Sequence, residues 1–207
     1  MGVQAGMDSH VDRIGCYRRL LRQPLSTETR RMLEWLLVSA MRDDAVREGQ
    51  VLPKSVLPAP RLVALANEAV VQAARLMGSQ FANMQLYIAT QDTLLLIAYH
   101  NFDPGFVGRF ASFRPDGRTT CSRAVASGRR VALEDIERDK SFAPHVPAAL
   151  SAGFRALQST PLRLRSGKPI GVLTTHFAAP RAFSNDEFAD MDAHALQVSA
   201  ELERVCA

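Results

Sequence analysis

The chain has 207 residues, of which 47% are hydrophobic and 22% charged, a composition sized for one well-filled globular domain plus an extension. No run approaches the roughly 18 consecutive apolar residues of a membrane span, and residues 1–10 are mixed and polar, so the expected compartment is the cytoplasm, with no membrane partner. The net charge of +4 is dispersed, not gathered into a basic stripe with interleaved aromatic residues, which argues against a nucleic-acid partner, and Cys16, Cys121 and Cys206 are odd in number and widely spaced, which fits neither a disulfide framework nor a CxxC metal site.

Residues 11–22 read as a helix, Pro24 breaks it, and Ser26 or Thr27 caps a second helix running to about residue 48. In that second helix Met32, Leu33, Leu36, Leu37 and Met41 form an apolar stripe that needs cover, either from the following domain or from another copy of itself. Residues 49–60 contain Pro53, Pro58 and Pro60 and form the linker. From Leu62 to Met77 an apolar face recurs at helical spacing, and Gly78 is placed to stop it.

The period then changes to two. Ala82, Met84, Leu86 and Ile88 alternate with Asn83, Gln85 and Tyr87, and after a turn at Thr90-Gln91-Asp92 the apolar run 93–99 completes a hairpin. Asp103 and Pro104 suit the start of a short helix through Phe110, and residues 121–127 before Gly128 suit another, followed by a strand over 130–134. The polar stretch 136–147 precedes a short Ala-rich helix ending at Gly153. Strands over 154–165 and 168–178 flank a turn at Ser166-Gly167, and Pro161 makes the first of them bulged or edge-like. Ser184 and Glu187 form a capping box for a closing helix striped by Phe188, Met191, Ala195, Val198 and Leu202. Hairpins without regular βαβ alternation imply an α+β fold with an antiparallel sheet, not a dinucleotide-binding one.

Five blocks in order carry a resemblance: Ala82-Asn83-Met84-Gln85-Leu86-Tyr87, Cys121-Ser122-Arg123-Ala124 with Gly128, Glu134-Asp135-Ile136, the run from Gly153 to Leu162, and the run from Gly171 to Phe177. Together they resemble the GAF domains of bacterial sensor proteins, especially those attached to histidine kinases. The resemblance spans 59–207 as a GAF domain and leaves 1–58 as an N-terminal helical extension with a proline-containing linker. It implies a GAF-like central antiparallel sheet flanked by helices, with the first and last helices together on one face. It also implies a pocket for a small-molecule effector on the other face, a homodimer formed through the helices, and a histidine kinase or other signalling protein as partner.

Family membership does not name the effector, so the cofactor is unknown. A covalent bilin is not expected, because Cys121 is followed by Ser122 instead of the histidine that accompanies the attachment cysteine. The Asn-Lys-Phe-Asp-Glu set of cyclic-nucleotide-binding members is missing as well. With no kinase, cyclase or helix-turn-helix segment in the sequence, a stand-alone sensor acting through a partner is the expectation.

Cys121 precedes a short helix, whose amides and dipole are expected to lower its pKa. The free methionine sulfoxide reductases, an enzymatic branch of the family, keep a catalytic cysteine there in a Gly-Val-Cys-Gly block, where this chain has Thr120-Cys121-Ser122-Arg123 and no resolving partner. The expected role is a small structural residue and the expected protein is not an enzyme. Reductase catalysis, a thiol redox sensor, and a pure interaction module with a vestigial pocket are the alternatives. Thr174 and His176 share a sheet face with Val172 and are expected to meet Gln158 and Thr160 across the hairpin as a polar pocket floor. Bonds that merely fix the sheet are the competing account. Arg155 either grips a carboxylate or phosphate or sits at the solvent edge. His100, His145 and His194 lack ligand spacing, so no metal site is expected, and Glu134-Asp135 suits capping of the next loop.

Overall fold

Helix α1 (Pro60–Met77) starts on a proline, which fills a first-turn position at no cost in hydrogen bonds. Leu62, Ala66, Ala69, Val70, Ala73 and Met77 form its buried stripe, whereas Leu76 falls off that stripe and is exposed. The helix stops at Gly78, whose φ of 60° lets the Ser79 N–H reach back to the Ala74 carbonyl at 2.9 Å. The structure, a computed structural model, describes residues 17–22, 37, 60–89 and 92–206.

Strands β1 (Phe81–Ile88) and β2 (Thr93–His100) form the expected hairpin, with a bulge between Met84 and Gln85. They are followed by α2 (Pro104–Arg109), the two-residue strand β3 (Ser112–Phe113), α3 (Thr120–Ser127) and β4 (Val131–Leu133). The polar stretch folds into two 3-10 turns, Ile136–Arg138 and Ala143–His145, before α4 (Val146–Ser151). Strands β5 (Ala156–Arg163) and β6 (Pro169–Phe177) and helix α5 (Asn185–Cys206) complete the chain.

The six strands lie in the order β3-β2-β1-β6-β5-β4, every neighbouring pair antiparallel, so the mixed α+β expectation holds. Strand β4 pairs with β5 only over residues 157–159 and stops short of Pro161, which therefore has an unpaired side, as its missing N–H demands. The capping box forms as read: the Ser184 N–H donates to Glu187 Oε2 at 2.9 Å and the Glu187 N–H to Ser184 Oγ at 3.2 Å.

The two sheet faces have different company. Met84, Leu86, Leu162, Leu173 and Phe177 point toward α1 and α5 and form the larger core with Met191, Ala195, Val198 and Leu202. His194 joins the two helices, its Nε2 3.0 Å from the Ala69 carbonyl. The stripes of α1 and α5 are thus covered by the sheet and by each other, so they do not by themselves require a second copy. Among the described side chains of these helices, Leu76 and Leu196 are the large apolar ones left exposed. Tyr17 is buried in the same core, and Leu20, Leu21 and Leu37 pack against it. Most of the 1–58 extension, including the expected second helix and the linker, otherwise lies outside the described residues. Among those residues, no helix is long and apolar enough to cross a membrane.

Candidate functional site

The opposite face carries the site. Because side chains alternate along a strand, the residues of β1 and β6 that miss the helix core, Asn83, Gln85, Thr174 and His176, project together on the other side, with Asn83 paired to Thr174. They form one wall of a half-open cavity of about 30 Å³, room for one or two waters. Thr119, Thr120 and Cys121 at the start of α3, with Leu157 of β5, form a second wall; Phe106, Phe110, Phe142 and Phe154 complete the lining.

Local structure explains each placement. The Asp103 carboxylate accepts from the Phe106 N–H at 3.1 Å and starts α2, which delivers Phe106 and, directly after its last residue, Phe110. Thr119 caps α3 by accepting from the Ser122 N–H at 3.2 Å. Asp139 accepts from the Phe142 N–H at 2.9 Å and from Arg123 at 3.0 Å, anchoring the loop that presents Phe142 to the helix that presents Cys121. Burial works to raise the Asp139 carboxyl pKa, but the Phe142 N–H and the Arg123 guanidinium outweigh it and hold the group below its ordinary value.

The floor is a chain of hydroxyls. Ser159 Oγ donates to Thr120 Oγ1 at 2.8 Å and lies 2.9 Å from Thr174 Oγ1. Since Ser159 has one proton and Thr120 receives it, Thr174 is the donor in the second bond. Three buried atoms in the lining make no hydrogen bond: Asn83 Oδ1, Gln85 Oε1 and His176 Nδ1.

His176 is packed edge-on against Phe102 and Phe154, ring centroids 4.9 and 4.6 Å away, and burial pushes its pKa down from 6.5 to about 3, only partly offset by the Phe81 backbone. The imidazole is therefore neutral at physiological pH. As pH falls below 6.5 the unfolded chain takes up a proton that the folded chain refuses, so stability present above 6.5 is lost progressively toward pH 3. Between pH 7 and pH 5 the protein is expected to lose about 2 kcal/mol more than a His176→Phe variant. Urea unfolding at the two pH values measures this; equal losses would show that His176 is not held neutral.

Cys121 overturns the expectation of a lowered pKa. The residue is half-buried, packed against the cluster of Leu94, Ala124, Val125 and Val172, and the desolvation of its sulfur drives the thiol up to about 11, although the Thr119 hydroxyl at 3.0 Å and helix amides pull the other way. Desolvation outweighs the helix start, and the group is a thiol.

Of the residues singled out from sequence, the cavity brings together Cys121, Thr174 and His176. Gln158 and Thr160 are on the other face. Strand β5 pairs Ser159 with Thr174 and Leu157 with His176, so the expected partners are out of phase by one residue. Under the helices Thr160 donates to Gln158 Oε1 at 2.8 Å, and Gln158 Nε2 donates to Thr175 Oγ1 at 3.1 Å. Arg155 does not reach the cavity either. It donates to both Asp135 oxygens, at 3.1 and 3.0 Å, and pairs with Glu137, while Asp135 caps the 3-10 turn through the Glu137 N–H. Sequence reasoning missed Asn83 and Gln85, whose available signal was two amides on alternate positions of a strand with a buried pattern on both faces.

A second, open groove of about 420 Å³ lies between β5 and α5, lined in part by Arg129, Arg130, Arg163 and Leu196. Arg130 is committed there: it donates to the Phe188 carbonyl at 2.8 Å, stacks over the Phe188 ring and pairs with Asp192. Among the described residues no cluster of three or more His, Cys, Asp or Glu could hold a metal ion.

The family model described as GAF domain matches residues 61–201. Among solved structures, the chain is similar to a domain of a putative two-component sensor histidine kinase protein from Sinorhizobium meliloti 1021, with 14% identity and a TM-score of 0.59 over 72% of this chain and 95% of that one. It is also similar to the GAF domain of a phosphoenolpyruvate-protein phosphotransferase from Coxiella burnetii, with 12% identity and a TM-score of 0.61 over 97% and 96%. Free methionine-R-sulfoxide reductase from Neisseria meningitidis, solved in complex with its substrate, shows 17% identity and a TM-score of 0.57 over 88% and 95%. No curated protein matches the sequence.

Proposed function

The chain belongs to the GAF domain family, and from that premise we propose that it is a signal-sensing regulatory protein whose cavity takes a small molecule and whose helices pass the occupancy on. The observation that carries this reading is the cavity wall in which three buried polar side chains, Asn83, Gln85 and His176, each keep an atom without a partner. Buried polar groups are nearly always hydrogen-bonded, so such a wall is expected where a ligand or water completes the bonds. Strands β1 and β6 supply a route outward, because Met84, Leu86 and Leu173 alternate with Asn83, Gln85 and Thr174 and press on α1 and α5. A shift of either strand is felt by both faces.

Filling the cavity requires it to widen, since its 30 Å³ is about a tenth of the smallest common ligand site. The segment that moves is α2 with Phe106 and Phe110, whose helix is only six residues long. A homodimer through the exposed sides of α1 and α5, near Leu76 and Leu196, and a signalling partner such as a histidine kinase complete the proposal. Light scattering at micromolar concentration tests the dimer, which a monomeric mass would remove. Native mass spectrometry tests the sensor: a discrete extra mass per subunit that disappears on denaturation supports it. A bare subunit that also gives no thermal shift with a broad small-molecule panel argues for a pure interaction module.

The place of Cys121 in the cavity lining favours a second reading, thiol redox chemistry or methionine sulfoxide reduction, which its high pKa opposes. With a pKa of about 11, Cys121 is expected to alkylate with iodoacetamide at pH 8 roughly a hundredfold more slowly than an unperturbed cysteine. Peptide mapping distinguishes it from Cys16 and Cys206. Fast alkylation, or dithiothreitol-dependent turnover of free methionine sulfoxide that is lost in Cys121→Ser, would replace the sensor reading with the enzymatic one.

A further inference from the structure

We propose that the ligand of this cavity is an uncharged, flat, single-ring-sized molecule carrying N–H or O–H donors together with an acceptor, bound to the amides of Asn83 and Gln85. The inference rests on the sensor reading of the same cavity and specifies its chemistry. The orphaned atoms are two amide oxygens and a ring nitrogen, Asn83 Oδ1, Gln85 Oε1 and His176 Nδ1, on side chains that are 6%, 2% and 4% exposed. Each amide presents an oxygen that only accepts and an NH2 that only donates, so a group offering both a donor and an acceptor, as a carboxamide does, completes them.

Their spacing follows from the sheet. Asn83 and Gln85 are two residues apart on one strand, roughly 7 Å along it, and Asn83 pairs with Thr174 on the neighbouring strand, roughly 5 Å away. A row of that length spans one substituted ring. Facing it are Phe106, Phe110, Phe142 and Phe154, with Phe106 and Phe110 centroids 4.7 Å apart, surfaces against which a flat ring packs.

Charge decides the rest. No residue lining the cavity is ionised: the imidazole and the thiol are both neutral at physiological pH, and every other lining side chain is an amide, a hydroxyl, a phenyl or an alkyl group. Arg155, the cation that could have met a phosphate or carboxylate, is tied to Asp135 and Glu137. An ion entering this cavity would lose its hydration with no opposite charge to replace it.

Benzamide, benzoate and benzamidinium share one shape and differ in charge, and serve as probes of the intact chain. Titrations followed by ¹H–¹⁵N correlation spectra are expected to shift the Asn83 and Gln85 side-chain amides with benzamide, and to bind it at least about tenfold more tightly than either ion. Gln85→Leu and Asn83→Leu are each expected to weaken benzamide binding by about tenfold or more while leaving the thermal midpoint unchanged or raised, because an apolar group of similar shape replaces an orphaned acceptor. A midpoint that falls in both variants, with benzamide binding unaltered, assigns these amides to the fold and overturns the proposal. Tighter binding of benzoate or benzamidinium at these residues overturns the ligand class and leaves the sensor reading standing. No binding of any probe overturns the proposal, and an extra mass in native spectra then separates its failure from that of the sensor reading.

Discussion

Gly171→Ala is expected to lower stability by about 3 kcal/mol, the upper end of ordinary overpacking, and the thermal midpoint by roughly 6–12 °C for a chain of this size. Gly171 is in β6, between Leu86 of β1 and Leu162 of β5, at the centre of the sheet. A Cβ there would lie 2.4 Å from the Gln85 carbonyl oxygen and 3.4 Å from the Leu86 Cα. The atom it meets is backbone in a paired central strand, so it cannot turn aside as a side chain would. Gly167 is the control. Its φ of 83° disfavours alanine, but a Cβ would meet nothing within 4 Å, so Gly167→Ala is expected to cost only about 1 kcal/mol. Chemical unfolding of the two variants side by side checks this, and equal costs would mean that the strands separate freely at Gly171. The same substitution displaces the backbone of Gln85, so the cavity wall is expected to change with it, visible as a shifted Gln85 side-chain amide resonance.

The architecture was legible in the sequence wherever one period or one cap dominated. The stripe from Leu62 to Met77, the alternation from Ala82 to Ile88, and the Ser184–Glu187 box each depend on neighbours within one turn or one strand, and each appears where it was expected. The two-residue strand β3 and the two 3-10 turns were invisible because elements that short contain no period to detect. The cavity was legible only in part, for a different reason. Strands β1, β5 and β6 are buried on both faces, so alternation separates two sets of residues without saying which set faces helices and which faces the cavity. The polar residues of β5 show the ambiguity. Gln158 and Thr160 look like a ligand floor, yet they bond under the helices, while Ser159 between them bonds to Thr120 and Thr174 on the cavity side. Register across a hairpin is set by turn length and by the bulge between Leu162 and Arg163, a tertiary detail worth one residue, and one residue reverses every side chain. Cys121 failed in the same way: its place at a helix start was readable, but it packs against the cluster of Leu94, Ala124, Val125 and Val172, two of whose members come from distant strands, and desolvation there reverses its pKa.

Phe102→Ala is expected to be the most costly substitution on the cavity side, at about 3–5 kcal/mol. Phe102 is 7% exposed and its ring contacts Phe81, Phe106, Phe154 and His176 at centroid distances of 5.0, 4.1, 6.2 and 4.9 Å, so its removal leaves a hole that four neighbours cannot all close. The loss should depend on pH in a direction set by His176. In the parent protein the cluster keeps the imidazole neutral, and stability falls between pH 7.5 and pH 5 as the unfolded chain alone takes up the proton. Opening the cluster admits water to the imidazole and moves its pKa back toward 6.5, so the variant does not suffer that decline. The gap between parent and variant is then expected to narrow by up to about 2 kcal/mol at pH 5. A gap of equal size at both pH values would mean that other contacts hold His176 neutral. Because the hole is walled by phenyl rings, benzene or indole should fill it and raise the variant's midpoint while leaving the parent unaffected. That rescue separates a cavity formed beside the site from a general loss of folding, since an unfolded or collapsed variant would have nowhere to bind an apolar ring.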